Sequence, residues 1–245
     1  MKILLLGGTG EGRVLAQSLQ DLGHDVLSSL AGATRAPTAL AGRIRTGGFG
    51  GEDGFRDVIA AEAPDLVLDA THPFAARISA RTAAICAEIA LPYLQILRDP
   101  WVEGPGDRWA HIDAEEDAFE HIEAGSRVFL ATGRQTLDRF AGMPAAYFYC
   151  RQIDPPEQQF PFPNGQYVIG RPPFSEDQEM ALFQKLRINW LVVKNSGGQA
   201  SRSKLDAARA LTIPVLLIKR PTQPDAARVS TVADALNWIA GNADH

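Results

Sequence analysis

Gly7-Gly8-Thr9-Gly10-Glu11-Gly12 places four glycines in six residues directly behind an apolar run, Lys2-Ile3-Leu4-Leu5-Leu6. The chemistry open to such a turn is anion binding. Glycine lets the backbone approach a ligand closely and adopt conformations that a side chain would block. The helical pattern behind it (Val14, Leu15, Leu19, Leu22) offers unpaired N–H groups and the positive end of a helix dipole. Strand, glycine-rich turn and helix in that order is how α/β proteins hold a phosphate. The spacing is not G-x-G-x-x-G, because Arg13 stands where the third glycine would be, and no Gly-Lys-Ser/Thr follows to make a P-loop. A nucleotide site is the reading favoured over a turn with only a structural role.

Further chemistry falls at strand ends. Asp69-Ala70-Thr71-His72-Pro73-Phe74 closes the clearest buried strand of the first half, where an open α/β sheet has its crevice. His72 titrates near neutral pH and is a candidate proton donor, although contact through the backbone of Thr71, His72 and Pro73 is the favoured role. The second strand ends at Ser28-Ser29, with Arg35 shortly after. An NAD site usually has an acid there, binding the ribose 2′-hydroxyl. Small hydroxyls and a cation favour NADP. In the second half, Arg134, Arg171, Lys194 and Lys219-Arg220 all follow strand-like runs. Cations gathered at carboxyl ends of parallel strands suit a substrate with several carboxylates or phosphates. Lys194, in Lys194-Asn195-Ser196-Gly197-Gly198, is also a candidate for catalysis or for the cofactor phosphates.

These residues need a frame to hold them. The first half alternates strand and helix: strands at 2–6, 25–29, 43–46, 65–70 and 92–97, with helices after the glycine turn, at 54–62 and at 75–89. From Arg98 to Gly125 turn chemistry takes over. Alternation then resumes, with strands near 128–131, 145–151, 167–170, 190–193 and 214–218 and a last helix at 231–239. Strands separated by helices of this length pair in parallel. The expected architecture is two Rossmann-like α/β lobes with an active site in the cleft between them: residues 1–98 binding NADP, 99–125 connecting, and 126–245 binding substrate.

Composition narrows the function. The chain has 245 residues, 45% hydrophobic and 22% charged, with a net charge of −5. That balance argues against a nucleic-acid partner, which calls for a basic face. No apolar run approaches membrane-span length. Cys86 and Cys150 are far apart and lack metal spacing, so no metal is expected and a reducing cytoplasm is the simple reading. The chain is read as a monomer, with oligomeric state left open. A short-chain carbonyl reductase would need Tyr-x-x-x-Lys, and none of Tyr93, Tyr147, Tyr149 and Tyr167 has a lysine four residues later. A non-enzymatic NADP-sensing regulator is the competing class, and it has no need of basic strand ends in a second lobe.

Taken together and in order, Gly7-Gly8-Thr9-Gly10-Glu11, Asp69-Ala70-Thr71-His72-Pro73-Phe74-Ala75, Thr132-Gly133-Arg134, Gly170-Arg171-Pro172-Pro173-Phe174 and Lys194-Asn195-Ser196-Gly197-Gly198 resemble the precorrin-6A reductase family of cobalamin biosynthesis. The resemblance runs along nearly the whole chain, apart from Arg98–Gly125. It implies NADPH-dependent reduction of one carbon–carbon double bond in a tetrapyrrole, giving precorrin-6B. On that reading Gly8, Thr9, Gly10, Glu11, Ser29, Arg35, Thr71, His72 and Pro73 face the cofactor. Arg134, Arg171, Lys194, Asn195 and Ser196 face the acetate and propionate carboxylates of the macrocycle.

Overall fold

The computed structural model describes residues 1–32, 41–143, 145–156 and 158–242. Its elements run β1 (Lys2–Leu6), α1 (Gly10–Asp21), β2 (Asp25–Leu30), β3 (Arg43–Thr46), α2 (Glu52–Glu62), β4 (Leu66–Asp69), α3 (Ala76–Glu88) and β5 (Tyr93–Ile96). Next come β6 (Trp109–Ile112), β7 (Arg127–Ala131), β8 (Tyr147–Gln152), β9 (Gly165–Ile169), α4 (Glu176–Leu186) and β10 (Trp190–Lys194). The chain continues with α5 (Ser203–Ala210), β11 (Val215–Ile218), β12 (Arg228–Val229) and α6 (Val232–Asn242). Short 3-10 helices occupy Glu115–Glu120, Arg134–Phe140 and Gln199–Ser201.

The chain forms two units: Met1–Asp99 together with the chain from Pro221 onward, and Pro100–Arg220. The first holds a parallel sheet of order β12-β5-β4-β1-β2-β3. β1 shows why both faces are covered. Ile3 and Leu5 pack with Leu15 and Leu19 of α1 and Ala235 and Ile239 of α6, whereas Leu4 and Leu6 pack with Phe55 of α2 and Ile85 of α3. A strand buried on both sides must be apolar without alternation, and β1 is. Each buried leucine contributes roughly 1.5–3 kcal/mol.

The second unit repeats the plan. Its order is β6-β11-β10-β7-β8-β9, again parallel throughout. Both sheets read as the 3-2-1-4-5-6 order of doubly wound folds, with one substitution each. In the first unit the sixth place is taken by β12, from the far end of the chain. In the second it is taken by β6, which precedes the other five.

The division at 98 and 125 expected from the turn chemistry there therefore needs correcting. Residues 99–125 are not a connector, since β6 pairs with β11 from Trp109↔Val215 to Ile112↔Ile218. Nor does the last helix belong to the second unit, because Ala235 and Ile239 are buried in the first core. β12 has only two residues, too few for a hydropathy pattern to reveal. Among the described residues no helix is long and apolar enough to cross a membrane.

Candidate functional site

The first switch point, where the sheet order turns between β1 and β4, is built around Thr9. Its hydroxyl donates to the Ala70 carbonyl (2.8 Å) and accepts from the Gly12 N–H (3.2 Å). One side chain therefore caps α1 and ties the glycine turn to the end of β4. A hydroxyl so employed shapes the turn and leaves the backbone to meet a ligand. Gly8 sits at φ +134 with nothing within 4 Å of where a Cβ would stand, so open space lies in front of the turn. Gly12, buried, packs directly against the strand ends: a Cβ there would lie 3.4 Å from Ala70 Cβ and 3.5 Å from Gly7 Cα. That is the job of the third glycine in dinucleotide turns. The motif is displaced by one residue from where the spacing places it. Glu11 is ion-paired with Arg98 at 2.8 Å, which leaves its N–H, in the first turn of α1, as the group available to an anion.

The Thr71-His72-Pro73 loop is held from below and from the side. Asp69, 1% exposed, accepts from the Thr71 N–H (3.0 Å) and the Tyr93 hydroxyl (2.8 Å). Burial, then the Asp69 charge, pushes the Tyr93 phenol far above its ordinary range, so it stays a donor. Gln223, in the segment leading to β12, donates to the Pro73 carbonyl at 3.0 Å. The exposed His72 accepts the Phe74 N–H on Nδ1 at 3.3 Å, so in its neutral form the ring proton belongs on Nε2.

Between these pieces lies a cavity of about 760 Å³, within the size range of small-molecule sites. Gly8, Ser29, Thr71 and His72, which the sequence reading assigns to the cofactor, line it together with Gly7, whereas Thr9, Gly10, Glu11 and Pro73 are not among its lining residues. Phe49, Arg77, Ile78 and Arg81 also line it, and that reading missed them. Arg77 and Arg81 are one turn apart on α3, so only an i, i+4 spacing pointed to them. Phe49 stands within Gly47-Gly48-Phe49-Gly50-Gly51, and its carbonyl packs where a Cβ on Gly54 would lie, at 1.8 Å. Ser29 accepts from Arg45 Nη1 (3.3 Å), whose guanidinium also donates to the carbonyls of Gly47 (2.9 Å) and Gly48 (2.8 Å). Arg35 lies outside the described residues.

In the second unit the corresponding switch point lies between β7 and β10. Lys194 reaches Glu115 Oε1 at 3.4 Å and the Thr132 carbonyl at 3.3 Å. Glu115 also pairs with Arg139 at 3.2 Å. Asn195 spends its carboxamide on the backbone of Trp101, accepting its N–H (2.8 Å) and donating to its carbonyl (3.1 Å). Ser196 is largely buried beside it. Arg134 is exposed at the start of its 3-10 helix. Arg171, also exposed, follows β9 at the sheet edge, 3.6 Å from Asp154. Arg134, Lys194 and Ser196 thus share the switch point, Arg171 stands two strands from it, and Asn195 is a scaffold for Trp101. Among the described residues no group of three or more His, Cys, Asp or Glu could hold a metal.

Two doubly wound parallel sheets, one with a glycine turn and a cavity at its switch point, define an α/β protein of the Rossmann-like class. Residues 2–240 match the family model described as Precorrin-6x reductase CbiJ/CobK, and the chain belongs to that family. It is 44% identical over 241 residues to the precorrin-6A reductase of Rhodococcus erythropolis, covering 97% of each chain. It is 44% identical over 243 residues to that of Mycobacterium tuberculosis, covering 98% of each. A solved structure of CobK precorrin-6A reductase matches with a TM-score of 0.94 at 40% identity, covering 98% of this chain and 96% of that one.

Proposed function

We propose that this protein reduces one carbon–carbon double bond of precorrin-6A to give precorrin-6B, a step of cobalamin biosynthesis, with NADPH as reductant. The observation that carries the reading is the cavity at the first switch point, bounded by the bare Gly8 turn, in a chain of this reductase family. NADPH supplies the hydride. The N–H groups of Gly8, Gly10 and Glu11 and the α1 dipole hold its pyrophosphate. Ser29 and Arg35 belong to the ribose end, and the Thr71-His72-Pro73 loop to the nicotinamide end. Asp69 and Tyr93 keep that loop in place.

The second unit holds the macrocycle. Arg134 and Arg171 take its carboxylates, with Lys194 and the Ser196 backbone between β7 and β10. Lys194, already facing Glu115, contributes position as well as charge. Much of the acceleration then comes from holding the reacting carbon in place. The two thiols are free and buried, which fits a reducing, cytoplasmic setting.

The test is to mix purified protein, NADPH and precorrin-6A without oxygen. The nicotinamide absorbance is expected to fall in step with loss of precorrin-6A. Binding of NADPH with no oxidation would replace the enzyme with the regulatory reading.

A further inference from the structure

The far wall of the first-unit cavity carries a cation that neither the glycine turn nor Ser29 explains. Arg81 lines the cavity, and its Nε is buried with no hydrogen-bond partner among the described residues. Its guanidinium lies 5.4 Å from the ring centroids of both Phe49 and Phe55. Burial disfavours its charge, the Glu52 carboxylate partly offsets that, and the like charge of Arg77 adds to it. A cation left short of hydrogen bonds beside open space is costly unless something enters to pair with it.

Arg45, which also packs on Phe49, is committed. Its donors go to Ser29 Oγ and to the Gly47 and Gly48 carbonyls, and it stacks at 4.2 Å on Phe49. Arg45 builds the loop that carries Phe49. Arg81, across the same ring, retains a free donor.

Two positions of one cavity thus suit an anion, the backbone of Gly7 and Gly8 and the Arg77–Arg81 wall. A pyrophosphate at the first leaves the second for a separate phosphate. We infer that Arg81, with Arg77 one turn before it, receives the 2′-phosphate of the adenosine ribose and thereby selects NADPH over NADH; this rests on the cofactor site proposed above. The adenosine lies toward Phe49 and Ile78. A cofactor lacking the 2′-phosphate leaves Arg81 unsatisfied, and a site built around a polar group discriminates strongly against the analogue without it.

The experiment measures dissociation constants of NADPH, NADH, adenosine 2′,5′-bisphosphate and 5′-AMP for wild type, Arg81→Met and Arg81→Lys. Loss of a charge-assisted phosphate contact is expected to weaken NADPH and the bisphosphate roughly ten- to hundredfold in Arg81→Met. NADH and 5′-AMP should stay within about twofold, and Arg81→Lys should retain part of the preference. If Arg81→Met weakens NADPH and NADH equally, or neither, Arg81 serves only to pack Phe49 and the assignment falls. Should Arg81→Met fail to fold, the ratio of the two cofactors in Arg81→Lys decides by the same criterion. A wild type that binds neither cofactor sinks the NADPH reading itself, and one that binds both equally removes only the selection.

Discussion

Gly8 and Gly12 look interchangeable in the sequence and are not. Gly8 has a positive φ and empty space before it, whereas Gly12 is wedged against Ala70 and Gly7. Gly8→Val should therefore abolish NADPH binding in a protein that still folds. Gly12→Val should instead cost about 1–3 kcal/mol through overpacking, read as a lower urea midpoint. Both variants losing only binding would contradict this division. The spacing rule that counts Arg13 against the motif fails here because Gly12 meets the sheet one residue early. Arg77 and Arg81 were illegible for another reason, since a helix face shows only where its neighbours lie. Lys194 was legible as a strand-end cation, but Glu115 opposite it is 79 residues away in sequence and announces nothing. Because Lys194 and Glu115 are only 16% and 5% exposed in their side chains, each replacement alone should be costly. Lys194→Met and Glu115→Gln should each lose roughly 1.5–3 kcal/mol, and the double variant less than their sum. Additive losses in urea unfolding would mean that the pair is not coupled.

The elements were mostly readable. A run such as Lys2–Leu6, apolar at every position but the first, can be a strand covered on both faces, and it is one. The start of α4 is set by capping chemistry, with Ser175 and Gln178 forming a reciprocal cap. What resisted reading was strand partnership. β12 offers two residues, Arg228 and Val229, to the edge of β5, and its worth lies in where it brings α6 and Gln223. This yields a test by dissection. Residues 100–220 expressed alone should unfold cooperatively, because their sheet is complete. Residues 1–99 alone should not, lacking β12 and the Ala235 and Ile239 side of their core. Joining 1–99 to 221–245 through a short Gly/Ser linker should restore a folded unit, seen by circular dichroism and a single urea transition. A folded 1–99 fragment would show that the returning segment is dispensable.

At the scale of the whole molecule, two sheets of the same winding carry different strand-end chemistry. The first offers glycines, a buried carboxylate under a loop and arginines facing a cavity. The second offers Arg134, Lys194 and Ser196 at its switch point and Arg171 at its edge. That contrast is visible in the sequence as glycines early and cations late, while the family is legible in the five motifs taken together and the fold in the strand–helix alternation. The unit boundaries are not legible, since both sheets borrow a strand from outside their own run. The proposed function makes one claim above all, that a hydride from a dinucleotide held by the first unit ends on a macrocycle held by the second. The most direct measurement uses NADPH deuterated at the transferring position of its nicotinamide, with precorrin-6A, and mass and nuclear magnetic resonance analysis of the product. The expected result is a single deuterium at one carbon of the reduced bond, with solvent hydrogen on its neighbour. A product carrying hydrogen from solvent at both carbons would contradict it.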